Sequence, residues 1–344
     1  MKAARLIDGV VTVVDAPTPE PGNDQVLVRI TAAGVCHSDL HLARGDWAGV
    51  GVDGERPLGH EAIGVVEALG PGAVRWVAVG DRVILGLGGT GGGFWCGACE
   101  YCLAGQPRHC SQSVGIMGVF AEQFVVYAPG LVVVPDELSD LEAPLACGGL
   151  TAYGAVRKLF AHGVQPGSTV AVVGAAGGLG HYAVQLLDAF GYRVVGIDIG
   201  DDRLEFVRDL GAELAVSPDD APAAVAEAFG GVHASLVFSA KIAGYQLGLQ
   251  LLRKGGVFVA VGLPASSEGN MQLNPFDLLM RDPTIVFSAV GTVQEMRELV
   301  DLAARGVVRT HVSRTGPISE LDEIFDELAG ARYLGRAVIT DLGA

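Results

Sequence analysis

The sequence predicts an α/β protein in two parts: a mostly β domain, and a second domain built on a parallel sheet flanked by helices. Three observations carry this. Short strands broken by Gly and Pro fill residues 1 to about 147. From about residue 169, strand and helix patterns alternate, as βαβ units require. A glycine-rich turn joins the first of those strands to the helix after it. The length of 344 residues also suits two domains, at about 150 residues each.

In the first part, Gln25–Ile30 alternates as a half-buried strand does. Ala62–Leu69 followed by Gly70-Pro71-Gly72 reads as a strand and a turn, and Asp81–Ile84 as another strand. In the second part, Thr169–Gly174 is a buried strand, a helix runs from about Gly178 to Phe190, and Arg193–Asp198 is the next strand. The rhythm repeats through Ala234–Ser239 and Val257–Val261, with Thr284–Val290 as a sixth strand. The tail carries helices near Val293–Arg305 and Leu321–Leu328 and a last strand near Arg336–Thr340. Six strands are complete by residue 290, so the tail is expected to return to the first domain. The expected division is 1–147 plus 291–344 against 148–290.

Half of the residues are hydrophobic, enough for sizeable cores. The formal charge of −16 and a pI near 4.8 offer no electrostatic footprint for nucleic acid or an anionic membrane. The N-terminus has no apolar stretch of signal length, and no apolar run of about 18 residues reads as a membrane span. The 50 glycines are spread along the chain and mark turns.

Four of the six cysteines sit in one run, Cys96-Gly-Ala-Cys99-Glu-Tyr-Cys102, with Cys110 eight residues on. Four thiolates at this spacing satisfy a closed, tetrahedral, structural zinc site. Disulfides between such close thiols are strained, and nothing suggests secretion. An iron–sulfur cluster uses the same donor set and is the stronger rival. Cys36 and Cys147 remain, with Gly59-His60-Glu61 between them in sequence. Singly, each reads as a buried small hydrophobe or a core histidine. Together, two thiolates and an imidazole can hold a second zinc with one position open, as catalytic sites do. Reduced thiols used as ligands suit a cytoplasmic setting.

The glycine-rich turn is Gly174-Ala-Ala-Gly177-Gly178-Leu-Gly180. Its spacing departs from the standard dinucleotide fingerprint, but it follows a strand and opens a helix, the context that fingerprint needs. Glycines there let backbone amides approach a pyrophosphate. Asp198 ends the next strand, 18 residues past Gly180. A carboxylate at that place accepts from ribose hydroxyls and repels a 2′-phosphate, which favours NAD over NADP.

These motifs, with Gly34–His41, Gly45-Asp46-Trp47, Cys147–Thr151 and Gly335-Arg336, resemble the zinc-dependent medium-chain alcohol dehydrogenases over nearly the whole length, the bacterial and yeast-type members in particular. The resemblance implies a mostly β, GroES-like catalytic domain with a structural zinc lobe at 96–110, and an NAD-binding Rossmann domain. It implies Cys36, His60 and Cys147 as catalytic zinc ligands, with Glu61 a carboxylate that ligates transiently. Asp39 is implied as the partner of His60, and Ser38 and His41 as a proton relay. It further implies His37 and Arg336 as pyrophosphate contacts, Thr151 as a nicotinamide contact and Arg203 as a basic residue near the ribose. A Cys at position 147, where polyol dehydrogenases usually carry Glu, favours the alcohol branch. The implied activity is reversible hydride transfer between an alcohol and NAD, with two zincs per chain in a homotetramer. A zinc-free enone or quinone reductase of the same superfamily would lack Cys36, His60 and the lobe. A non-catalytic protein on this scaffold need not keep both ligands and relay.

Two departures border the expected substrate cleft. Gly86–Phe94 is rich in glycine where relatives carry a bulky aromatic, and the stretch after Cys110 is about four residues short. Both favour bulky alcohols, benzylic or cyclic, over ethanol, unless Phe94, Trp95 or Met117 fills the space.

Overall fold

A computed structural model describes residues 1–47, 54–86 and 93–344 of the chain. It divides into two compact units, Met1–Leu150 with Val290–Ala344, and Thr151–Ala289. The α/β class is borne out: the first unit is mostly β and the second alternates strand and helix.

In the first unit, Gln25–Val35 is the central strand. It pairs with Ala62–Leu69 on one side, and with Arg336–Asp341 and Gln123–Tyr127 on the other. The central position explains why the strand continues to Val35, beyond the stretch whose alternation predicted it. Arg82–Leu85, Val132–Val133 and Val312–Pro317 complete the described sheet. Val26, Val28, Ile30, Val83, Phe120 and Ile339 form its core, closed by Ile324 and Phe325 of the helix Leu321–Ala329. A smaller sheet begins with the hairpin Lys2–Ile7 and Val10–Asp15. Its turn, Asp8-Gly9, has φ of 47° and 83°, the conformation that an Asp-Gly pair adopts most readily.

In the second unit, the strands lie in the order Leu214–Val216, Arg193–Ile197, Thr169–Val173, Val232–Val237, Leu252–Ala260, Thr284–Phe287, all parallel. This is the doubly wound Rossmann order, with its switch point between Thr169–Val173 and Val232–Val237. Thr169–Val173 is buried along its whole length, as a strand covered on both faces must be. The sixth strand ends at Phe287 rather than Val290; Val290 itself has φ 50°, outside any strand conformation. Among the described residues, no helix is long and apolar enough to cross a membrane.

Candidate active site and metal centres

The first centre is assembled from three places in the first unit. Cys36 follows the central strand and caps the helix His37–Arg44. His60 and Glu61 precede the strand Ala62–Leu69, and Cys147 precedes the helix Gly148–Ala161. The chain reaches His60 through Gly59, whose φ is 90° and whose missing Cβ leaves room for Phe120. One donor atom from each of Cys36, His60, Glu61 and Cys147 lies within 4.8 Å of the others.

Asp39 organises this centre. Its side chain is fully buried and accepts from the Cys36 amide at 3.3 Å, the Gly59 amide at 3.1 Å and His60 Nδ1 at 3.0 Å. The imidazole thereby keeps Nε2 for a metal, and its ring orientation is fixed. Burial alone would lower the His60 pKa; the Asp39 carboxylate and Cys147 outweigh burial and hold it well above the ordinary imidazole value. The bond from Cys147 holds Cys36 well below the usual thiol range, against burial. Glu61 accepts from the Gly148 amide at 3.2 Å and from the Arg336 guanidinium. Burial, partly opposed by Arg336, pushes its carboxyl up to about 7. Arg336 is therefore engaged with Glu61, a partner the sequence reading did not give it.

Ser38 and His41 lie one turn apart on the helix, and His37 is exposed at its start. His41 Nδ1 is 2.7 Å from the Asp46 carboxylate, and its ring packs on Trp47 with centroids 5.1 Å apart. Sequence reasoning gave Asp46 no role of its own. A carboxylate just past a helix-ending glycine, five residues after a histidine, was the available signal.

The second centre is local. Cys96, Cys99, Cys102 and Cys110 bring their sulfurs within 4.8 Å of one another, and all are free thiols. The Cys99 and Ala98 amides donate to the Cys96 sulfur at 3.3 and 3.4 Å. The Ala98 and Cys99 amides hold the Cys96 thiol down at about 6, while desolvation and then the Cys99 contact push Cys102 up to about 12. Amides aimed at a sulfur favour thiolate, the form a metal binds.

In the second unit, Gly174, Gly177, Gly178 and Gly180 turn from the strand Thr169–Val173 into the helix Gly180–Ala189. A side chain at Gly180 would collide with the Gly174 carbonyl oxygen, so this close approach requires glycine. Asp198 follows the strand Arg193–Ile197 and accepts from the Ala176 amide of the turn at 2.8 Å and from its neighbour Ile199 at 2.9 Å. Arg203 stands 3.8 Å from the same carboxylate. Thr151 is buried on the helix Gly148–Ala161. The glycine run 87–92, Gly91 included, lies outside the described residues.

A doubly wound sheet with a glycine turn at its switch point, and a β unit carrying sulfur, imidazole and carboxylate donors in one buried cluster, define the class of zinc-binding, nucleotide-dependent oxidoreductases. The comparisons sharpen that class. Residues 22–136 match the alcohol dehydrogenase GroES-like domain, and residues 178–305 the zinc-binding dehydrogenase domain. An alcohol dehydrogenase of Geobacillus stearothermophilus is 40% identical over 340 residues, covering 95% of each chain. The solved alcohol dehydrogenase of the archaeon Aeropyrum pernix is 33% identical with a TM-score of 0.88, over 99% of this chain and 100% of its own. An acetophenone reductase from Geotrichum candidum, solved with NAD, is 27% identical with a TM-score of 0.85, over 99% and 97%. The chain belongs to the zinc-dependent medium-chain alcohol dehydrogenases, NAD-dependent enzymes that transfer hydride between an alcohol and a carbonyl.

Both groups implied by the family fit the residues present. His60 has Nδ1 committed to Asp39 and faces two thiols, a donor set zinc favours. The Gly174–Gly180 cradle, which a side chain would fill, suits the pyrophosphate of NAD.

Proposed function

We propose that the chain reversibly oxidises alcohols to aldehydes or ketones with NAD. In this reading Cys36, His60 and Cys147 hold a catalytic zinc, and Cys96, Cys99, Cys102 and Cys110 a structural one. The carrying observation is the gathering of Cys36, His60, Glu61 and Cys147 donors within 4.8 Å, from segments more than a hundred residues apart. Zinc bound there supplies Lewis-acid polarisation of the substrate oxygen, and NAD supplies the hydride acceptor.

The chain's own residues do the rest. Asp39 fixes the His60 ring, and Glu61, with its carboxyl pushed up to about 7 and tethered by Arg336, is the carboxylate that could ligate a bound zinc transiently. Ser38 takes the alcohol proton and passes it to His41, one helical turn on. Gly174, Gly177, Gly178 and Gly180 cradle the pyrophosphate, joined by His37 and Arg336. Thr151 contacts the nicotinamide. Asp198 receives the ribose hydroxyls with Arg203 beside it, which disfavours NADP.

Bulky alcohols are the proposed substrates. Phe94 and Trp95 pack edge-on against Tyr127, at 5.1 and 5.4 Å between centroids, which commits both rings to that contact. The acetophenone reductase acts, by its name, on an aromatic ketone. A larger pocket adds roughly 0.8 kcal/mol per buried methylene. We place the enzyme in the cytoplasm as a homotetramer. Free thiols suit that compartment, and the edge strand Thr284–Phe287, with Phe287, Phe276 and Leu279 exposed, suits subunit pairing.

The test is elemental analysis joined to an alcohol panel with NAD and NADP in parallel. Two zincs per chain, a preference for NAD that narrows in Asp198→Gly, and kcat/KM higher for benzyl alcohol or cyclohexanol than for ethanol are expected. Gly91→Trp should lower that last ratio. One zinc or none, equal use of both cofactors, or ethanol as best substrate would each remove the corresponding part.

A further inference from the structure

We infer that Asp46 is a positioning residue for proton transfer, setting which nitrogen of His41 is free to accept the proton. The inference rests on the relay reading of His41. The helix His37–Arg44 ends at Gly45, whose φ of 65° only glycine adopts freely. That reversal turns the chain back over the last helical turn. The Asp46 amide donates to the His41 carbonyl at 3.0 Å, and its carboxylate meets His41 Nδ1 at 2.7 Å. Asp46 is thus tied to His41 through main chain and side chain together.

An ionised carboxylate only accepts. The short contact therefore places the proton on Nδ1 and leaves the lone pair on Nε2. His41 Nε2 is buried and has no hydrogen-bond partner among the described residues. A buried polar atom without a partner is costly to keep, so an arrangement that retains one is shaped for a group that arrives later. Trp47 covers one side of the imidazole, with the rings 36° apart. Other charged or titratable groups lie near among the described residues. His37 stands 6.1 Å away on the previous turn, and Arg44 turns to Asp326 of the helix Leu321–Ala329 at 3.6 Å.

In the relay the proton leaves the alcohol O–H for the Ser38 hydroxyl and, since Ser38 does not itself contact Nε2, crosses a bridging hydroxyl or water to bond to His41 Nε2, which later releases it to solvent. The imidazolium so formed already has Nδ1–H held by a carboxylate. The new positive charge is met without moving a side chain, the logic by which a buried Asp orients a catalytic His.

The experiment is a double-mutant cycle with a spectroscopic arm. His41→Gln should lower kcat for alcohol oxidation about a hundredfold. Asp46→Ala should lower it about tenfold, with KM for NAD unchanged. In the His41→Gln background, Asp46→Ala should cost nothing more. Imidazole nitrogen-15 shifts should show the His41 proton on Nδ1 in the wild type and a mixture of tautomers in Asp46→Ala. Asp46→Asn keeps shape and an acceptor, and should recover part of the rate. A slow His41→Gln beside full-rate Asp46 variants would overturn the inference and leave the relay standing. A full-rate His41→Gln would overturn both. Equal cost of Asp46→Ala in the two backgrounds would give Asp46 a role independent of His41 and overturn it as well. Should Asp46→Ala fail to fold, the wild-type spectrum decides, since a proton on Nε2 contradicts the assignment.

Discussion

The two cysteine-bearing centres of the first unit are built on opposite plans. In the 96–110 lobe, sulfurs are held by each other and by amides two or three residues away. Cys96, Cys99 and Cys102 are only half-buried. In the Cys36 centre, the supporting bonds span the unit: Asp39 reaches His60 across 21 positions, and Arg336 reaches Glu61 across 275. Asp39 and Glu61 are fully buried there. The lobe is a self-contained staple, whereas the Cys36 centre is woven into the sheet that carries it. Damage to the first should be felt as lost stability, and damage to the second as lost chemistry.

The sharpest way to break that contrast is to remove a ligand of the woven centre. Cys36→Ala or His60→Ala should lower kcat by at least about a thousandfold, since Lewis-acid stabilisation is worth several kcal/mol. Elemental analysis should then find the lobe's zinc alone. Measurable turnover, or loss of both metals together, would mean that the centres are not separable. A smaller effect is expected from Asp39→Asn, which keeps the shape but weakens the hold on His60. Zinc affinity at the Cys36 centre should fall roughly 10- to 100-fold, read by chelator competition, while the lobe's affinity stays put. Equal weakening at both centres would contradict the plan. The least effect on chemistry should come from Cys99→Ala in the lobe. We expect Tm to fall by roughly 5–10 °C, on about 2–4 °C per kcal/mol, with kcat below the transition retained. A lobe variant with full Tm and no activity would reverse the assignment.

The same contrast explains what was legible in the sequence. The lobe is a spacing pattern, and spacing survives in one dimension. The parallel sheet was legible because valine runs such as Thr169–Val173 are buried on both faces and end in glycine. The gathering of Cys36, His60 and Cys147 rested on family resemblance, because no local rule ties residues 111 positions apart. Contacts that depend on tertiary register were not legible at all. Arg336 meets Glu61 only because Arg336–Asp341 pairs antiparallel with the central strand, Ala337 opposite Val35. Asp46 is visible in the sequence only as part of the Gly45-Asp46-Trp47 motif, because its contact with His41 depends on the left-handed Gly45 that folds it back on that ring. The Asp8-Gly9 turn, by contrast, is a purely local hairpin signal that the sequence carries openly.

The pairing of Ala337 with Val35 also sets an order of events during synthesis. At about 5–20 residues per second, the ribosome needs roughly 15–60 s between making these two partners. From the synthesis of Cys147 onward, Cys36, His60 and Cys147 all exist in the nascent chain, while the strand carrying Arg336 does not. The whole of Thr151–Ala289, with a sheet drawn from its own residues alone, is made in the meantime. A nascent chain can therefore complete its second unit before its first. Until Arg336 is made, the buried carboxylate of Glu61 waits for its cation, and a product stalled before that strand would expose an unfinished edge along the strand that leads into Cys36.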